Sequence, residues 1–222
     1  MLELSKESID IVMPWVDGND MEWQKEKKKY DETTPNGDNR IIRYRDWEML
    51  PYWFRGIEKY APWVNKVHFV TCGHLPNWLN TKNPKLHIVK HEDYIPKQFL
   101  PTFNSHTIEW NLHRIEGLSE NFVYFNDDIF LIGKLEPSDF FRKGKPVDML
   151  ALQPDVANVH DQVMPYIYLN NAMFLAKYFD KRENMKKQPK AYFHIGYPLQ
   201  YFVYNMMEMA FPKFTGFYTV HG

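Results

Sequence analysis

NFVYFNDD, residues 121–128, is the stretch that decides the fold. Asn121 to Phe125 is a short apolar run that stops abruptly at Asn126-Asp127-Asp128. A run of this length with no polar alternation reads as a strand buried on both faces. Upstream strands are expected at 9–13 (IDIVM, a buried apolar run ending at Pro14), at 66–72 (KVHFVTC) and, with alternating character, at 85–91 (KLHIVKH). Between them the apolar spacing becomes helical. DMEWQKEKKKY, 20–30, reads as a solvated helix opening at an Asn19 or Asp20 cap. WEMLPYWFRGIEKY, 47–60, reads as an amphipathic helix with Pro51 in its first turn. NSHTIEWNLHRI, 104–115, reads as a helix capped by Asn104 or Ser105. Strands alternating with helices predict an α/β domain with a mostly parallel central sheet flanked by helices. Beyond residue 146 the pattern is less regular, with a strand at 147–152 (VDMLAL) and aromatic-rich helices at 165–179 and 196–210.

The composition narrows the function classes. Lys and Arg number 27 against 28 Asp and Glu, a formal charge of −1, which disfavours a nucleic-acid-binding role. The KEKKK run at 25–29 reads as a solvated helix face rather than a phosphate-backbone patch. Aromatic residues make 17% of the 222-residue chain, enough to bury a core and to exclude disorder. Mean hydropathy is −0.54, so those rings sit in a polar background and some are available to a ligand cleft. The single cysteine, Cys72, rules out an internal disulfide and fits a reducing compartment. No apolar leader opens the chain and no apolar run approaches the roughly 20 residues of a membrane span. The expectation is a soluble, cytoplasmic protein.

Four groups of residues carry chemistry. In open α/β sheets ligands bind beyond the carboxyl ends of the strands, where Asp127 and Asp128 fall. Adjacent carboxylates repel unless a cation relieves them, and a hard divalent ion shared with substrate phosphates does so. Asn-Asp is equally good turn chemistry, so an acidic turn explains the same residues. Trp15-Val16-Asp17-Gly18-Asn19-Asp20 follows the first strand: Trp15 offers a stacking ring, Asp17 a ribose or base contact, Gly18 close backbone approach. A turn whose Asp and Asn cap the next helix fits these residues as well. His106, Glu109 and His113 are spaced three and four apart, on one face of the helix expected from Asn104. They form a metal or acid–base set, or a structural hydrogen-bonded one. Arg43 and Arg45 point to one side of an extended RIIRYRD stretch, suited to a phosphate pair or to a surface edge. The Rossmann, P-loop, HExxH and GxSxG fingerprints do not occur.

Taken in order, IDIVMPWVDGND (9–20), RYRDWEMLPYWFRGIEKYAPWVNKVHFVTCGHLPNWLN (43–80) and HEDYIPKQFLPTFNSHTIEWNLHRIEGLSENFVYFNDDIF (91–130) resemble the first two conserved regions of the Stealth family. These are sugar-1-phosphate transferases of bacterial capsule and exopolysaccharide synthesis, related to the animal N-acetylglucosamine-1-phosphotransferase. The resemblance implies a GT-A-like nucleotide-sugar-binding fold, a UDP-sugar donor, a glycan acceptor and a divalent metal, Mg²⁺ or Mn²⁺. It implies transfer of hexose-1-phosphate with release of UMP, by a bacterial enzyme at or near the inner face of the membrane, in peripheral association with a polysaccharide assembly complex. Carried over by position, Trp15, Val16, Asp17 and Gly18 fall in the nucleotide-binding first region. Asp127 and Asp128 match the acidic pair at metal and diphosphate. Asn104, His106 and Arg114 match the second region, near the phosphate, with His106 the candidate to take the acceptor proton.

The match departs at Met13-Pro14, where the family usually has a polar or aromatic pair. The last residues, FYTVHG (217–222), are similar to the approach to the family's third region. The expectation is therefore one α/β catalytic-type domain over 1–222, C-terminally incomplete, with a nucleotide-sugar and metal core at 9–133 and an acceptor-side segment at 134–222. An ordinary GT-A glycosyltransferase releasing UDP, and an inactive nucleotide-sugar-binding module, are the alternatives.

Overall fold

The computed structural model describes residues 8–31, 44, 47–154, 163–211 and 217–219. They form two compact units, Met1–Val147 and Asp148–Gly222.

The first unit is built on a sheet of strands β1 (Ile9–Pro14), β2 (Val67–Thr71), β3 (Leu86–Lys90) and β4 (Asn121–Tyr124). They run in the order β3-β2-β1-β4 and every pairing is parallel. Helix α1 (Met21–Asp31) follows β1, and α2 (Leu50–Tyr60) leads into β2. Pro51 sits in the first turn of α2, where a missing N–H costs nothing, and Pro62 lies just past its end. After β3 come α3 (His91–Tyr94), a 3₁₀ turn (Lys97–Phe99), α4 (Ser105–Trp110) and a second 3₁₀ turn (Leu112–Arg114). Helix α5 (Pro137–Phe140) and a small hairpin, β5 (Phe141–Arg142) with β6 (Lys145–Pro146), close the unit.

Both faces of the sheet are covered, which explains the continuous apolar runs. Ile11, Met13, Val67 and Phe69 pack with Trp53 and Ile57 of α2. Val12, Val70 and Val89 pack with Tyr94, Ile95, Leu112 and Ile115 from the segment between β3 and β4. This is the α/β architecture expected of a GT-A-like fold. At the N-terminal end of the sheet the second face is polar. Asp10 and His68 are both fully buried. Asp10 accepts hydrogen bonds from Asn65 Nδ2 (2.8 Å), the Lys66 amide (3.1 Å), the Ser119 amide (2.8 Å) and His68 Nε2 (3.0 Å). His68 Nδ1 then accepts from His87 Nδ1, 2.9 Å away on the neighbouring strand.

The second unit contains β7 (Leu152–Pro154), α6 (Val163–Leu175), α7 (Lys181–Lys187), α8 (Pro189–Tyr192), α9 (Leu199–Ala210) and β8 (Phe217–Thr219). Strands β7 and β8 pair antiparallel. Leu152, Met185 and Tyr192 form its buried centre. Asn205 is fully buried and ties this centre together, accepting from the Leu152 amide at 3.0 Å and donating to the Leu150 and Tyr192 carbonyls. Among the described residues no helix is long and apolar enough to cross a membrane.

Candidate functional site

Parallel strands put all four carboxyl ends on one edge. From β1 the chain steps to β2 and β3 on one side, then returns to place β4 on the other. The topological switch point therefore lies between β1 and β4, where open α/β sheets form their ligand crevice. The segments leaving these two strands are Trp15–Asp20 and Phe125–Asp128, the two motifs the sequence singles out.

The β1 segment is tightly built. The Asp20 carboxylate caps α1, with Oδ1 accepting from the Glu22 (2.9 Å) and Trp23 (3.1 Å) amides. Asp17 Oδ1 accepts from the Asn19 amide at 2.9 Å, and Gln24 Nε2 donates to the Gly18 carbonyl at 2.7 Å. Gly18 is required for room: a Cβ there would overlap the Tyr44 carbonyl. The close approach expected at Gly18 is thus made by this chain's own backbone. Val16 and Asp17 are half-buried. Trp15 is only 7% exposed, stacked on Phe69 at 5.5 Å and edge-on to His74 at 5.2 Å. Its ring is part of the core, a rigid floor under the loop rather than an open stacking face.

The β4 segment and α4 meet at Tyr124. Its hydroxyl lies 2.7 Å from Asn126 Oδ1 and 3.1 Å from Glu109 Oε1, with one hydrogen to share between them. Glu109 Oε2 is 3.9 Å from His106 Nδ1. Burial drives the Tyr124 phenol above its ordinary range, and Glu109, Asp127 and Asp128 add to that by crowding negative charge around it. His106, Glu109, Tyr124 and the Asn126–Asp128 turn therefore form one constellation. Asn104 belongs to it indirectly: its Oδ1 caps α4 by accepting from the His106 amide at 2.9 Å.

The one-face set expected for His106, Glu109 and His113 is not formed. The α-helix ends at Trp110 and continues as a 3₁₀ turn, which changes the angular step, so His113 leaves the row. His113 and Arg114 are exposed on that turn. Arg43 and Arg45 lie outside the described residues.

Asp127 and Asp128 are both exposed, side by side at the open edge of the sheet. This hard-oxygen donor pair fits a Mg²⁺ or Mn²⁺ ion whose other ligands are water and diphosphate oxygens. Among the described residues no three His, Cys, Asp or Glu side chains converge into a cage of the protein's own. Two site features escape sequence reasoning. Tyr124 reads as one more apolar strand residue, and only the fold shows its hydroxyl meeting Glu109. His74 follows the end of β2, and that position is its one signal; its ring accepts from the Asp17 amide at 2.8 Å and reaches Asp20 Oδ2 at 3.0 Å.

Comparison with known proteins finds relatives over these segments. The family profile described as Stealth protein CR1, conserved region 1, matches residues 7–34. The profile for Stealth protein CR2, conserved region 2, matches residues 43–149. The capsular polysaccharide phosphotransferase WcwK of Streptococcus pneumoniae is 41% identical over 215 residues, covering 96% of this chain and 64% of that protein. The capsular polysaccharide phosphotransferase eps5J of Streptococcus thermophilus is 43% identical over 197 residues, 85% of this chain and 79% of that protein. The exopolysaccharide phosphotransferase cps2G of Lactiplantibacillus plantarum is 39% identical over 214 residues, 96% of this chain and 62% of that protein. The chain thus spans a little under two thirds of WcwK and of cps2G.

Proposed function

The chain belongs to the Stealth family, and from that premise we propose that it moves a hexose-1-phosphate from a UDP-hexose to a glycan hydroxyl in capsule or exopolysaccharide synthesis. The names of the relatives support phosphate transfer in polysaccharide assembly. The observation that carries the finer reading is that the Trp15–Asp20 loop and the Asn126–Asp128 turn leave neighbouring parallel strands at one edge, the switch point of the sheet.

In this reading Val16 and Asp17, on the Trp15 floor and in the turn that Gly18 lets pack against the Tyr44 carbonyl, receive the nucleotide. Mg²⁺ or Mn²⁺ held by Asp127 and Asp128 would neutralise diphosphate charge, the principal demand of phosphoryl transfer. The acceptor oxygen bonds to the phosphorus that carries the sugar. The bond from that phosphorus to the oxygen bridging to UMP breaks, and UMP leaves with that oxygen. His106 takes the acceptor proton. Asn104 orients His106 by capping its helix, and the Glu109 carboxylate beside the ring stabilises the imidazolium that forms. Arg114, with Arg43 and Arg45, supplies positive charge for the phosphates.

Nucleotide-product analysis with a panel of UDP-sugars, Mg²⁺ or Mn²⁺ and a glycan acceptor tests this reading. UMP is the expected product. UDP would assign an ordinary glycosyltransferase instead, and metal-dependent UDP-sugar binding without any product would assign a binding module.

A further inference from the structure

His74 holds the β1 loop at two points. Its Nε2 accepts the Asp17 amide at 2.8 Å, and its Nδ1 lies 3.0 Å from Asp20 Oδ2. The other oxygen of Asp20 caps α1 through the Glu22 and Trp23 amides. The ring packs edge-on against Trp15, and the Thr71 hydroxyl donates to the His74 carbonyl at 2.8 Å. The His74 side chain is only 14% exposed. A neutral imidazole has one donor and one acceptor, and both are used here. The arrangement fixes the Nδ1–H tautomer, since an amide donates to Nε2 and a carboxylate accepts from Nδ1.

We infer that His74 is the positioning residue of the nucleotide-side loop, and that its neutral, Nδ1–H form is the one that presents this loop to a nucleoside diphosphate. The inference rests on the nucleotide reading of the Trp15–Asp20 segment proposed above. An imidazolium has two donors and no acceptor, so a protonated His74 cannot receive the Asp17 amide. Its surroundings bring that change within reach. Burial opposes the charged ring, but Cys72, with Sγ 3.6 Å from both ring nitrogens, and Asp20 outweigh it and hold the pKa above the ordinary value. His91, just past β3, is the other histidine nearby; burial and the proximity of His74 hold it down to about 4, so it stays neutral while His74 titrates. Acid therefore strengthens the Asp20 contact and breaks the Asp17 contact, loosening the loop while the fold persists.

Glutamine separates the two roles. Its amide oxygen can accept from Asp17 and its NH₂ can donate to Asp20, and it does not titrate. UDP affinity with Mg²⁺ is to be measured for the wild type, His74→Gln and His74→Ala at about pH 8 and about pH 5.5, either side of the imidazole range. UDP itself titrates there, so the difference between wild type and His74→Gln is the readout. The wild type should lose about tenfold more affinity in acid than His74→Gln, and His74→Ala should be weak at both values. In the same wild-type samples the Asp17 amide proton should shift in step with the His74 ring nitrogens. Equal acid loss in wild type and His74→Gln, or an Asp17 amide unmoved as His74 titrates, overturns the inference. If UDP fails to bind the wild type at either pH, the nucleotide reading falls and takes this nucleotide-side role with it. The amide titration still reports whether the latch itself exists.

Discussion

Asp10 and His68 show how a single buried pair sets a pH response. Burial raises the Asp10 pKa, but hydrogen bonds from Asn65, Ser119 and His68 outweigh it and hold the carboxyl below its ordinary value. His68 is pushed down from its ordinary 6.5, because burial outweighs the attraction of Asp10. His91 is pushed down to about 4 by burial and by the proximity of His74. A histidine depressed in the folded state stabilises above its unfolded pKa, and that contribution is lost as pH falls through 6.5 toward the folded value. His74 acts in the opposite sense, since its raised pKa favours the fold in acid. Two depressed histidines against one raised predict a urea midpoint that falls on acidification from about pH 7 to about pH 5. Replacing His68 by Gln should flatten the pH dependence of the unfolding free energy by at most about 1.4 kcal/mol per pH unit; an unchanged dependence would show that His68 plays no part in it. Asp127 and Asp128 act on function instead. Exposed as they are, Asp127→Asn/Asp128→Asn should leave the unfolding free energy within about 0.5 kcal/mol of wild type while abolishing metal-dependent turnover. Full activity in that double variant would remove the metal from this pair. The acidic pair was legible in the sequence because it interrupts an apolar run. The Asp10–His68–His87 network was not, because a buried polar residue in a strand looks the same in sequence whether or not its partners lie on neighbouring strands.

At the scale of elements, periodicity and punctuation carried most of the reading. Strands at 9–13, 66–72, 85–91 and 121–127 are expected, and β1 to β4 occupy those stretches. The helix at 47–60 begins at Leu50, with Pro51 in its first turn as anticipated. Helix 104–115 is where the local signal misleads. Asn104 caps it as expected, but it changes to a 3₁₀ turn after Trp110, so that Leu112 and Ile115 turn into the second face of the core. Tertiary burial overrode a continuous helical pattern there. The strand expected over 147–152 is displaced to Leu152–Pro154, because its partner β8 comes from the far end of the chain. Helix α2 offers a stability test of the first core. Trp53 is 1% exposed at its centre, and among the described residues its buried indole N–H has no hydrogen-bond partner. Trp53→Ala should cost about 3–5 kcal/mol by chemical denaturation, whereas Trp53→Phe, which also removes the unpartnered donor, should cost clearly less. Ile132→Ala, at a side chain 91% exposed, should stay within about 0.5 kcal/mol of wild type. Equal losses at Trp53 and Ile132 would contradict the packing described for the first unit.

For the whole molecule, the first unit contains the switch-point edge and every candidate site residue named above that the structure describes. The near-zero net charge is in keeping with local charge at a phosphate site rather than a broad basic surface. Fold class followed from the alternation of strands and helices, and the crevice followed from strand order, which no local sequence pattern displays. Motif residues were legible one by one; their convergence on Tyr124 and Glu109 depended on how β4 and α4 lie against each other. The central claim is that the bond broken joins the sugar-bearing β-phosphorus to the bridging oxygen, so that the β-phosphate stays with the sugar and UMP leaves with that oxygen. Tracing a label in the β-phosphate of the UDP-sugar tests this most directly. The label should move to the glycan and the released nucleotide should be unlabelled UMP; label retained in released UDP would rule this transfer out.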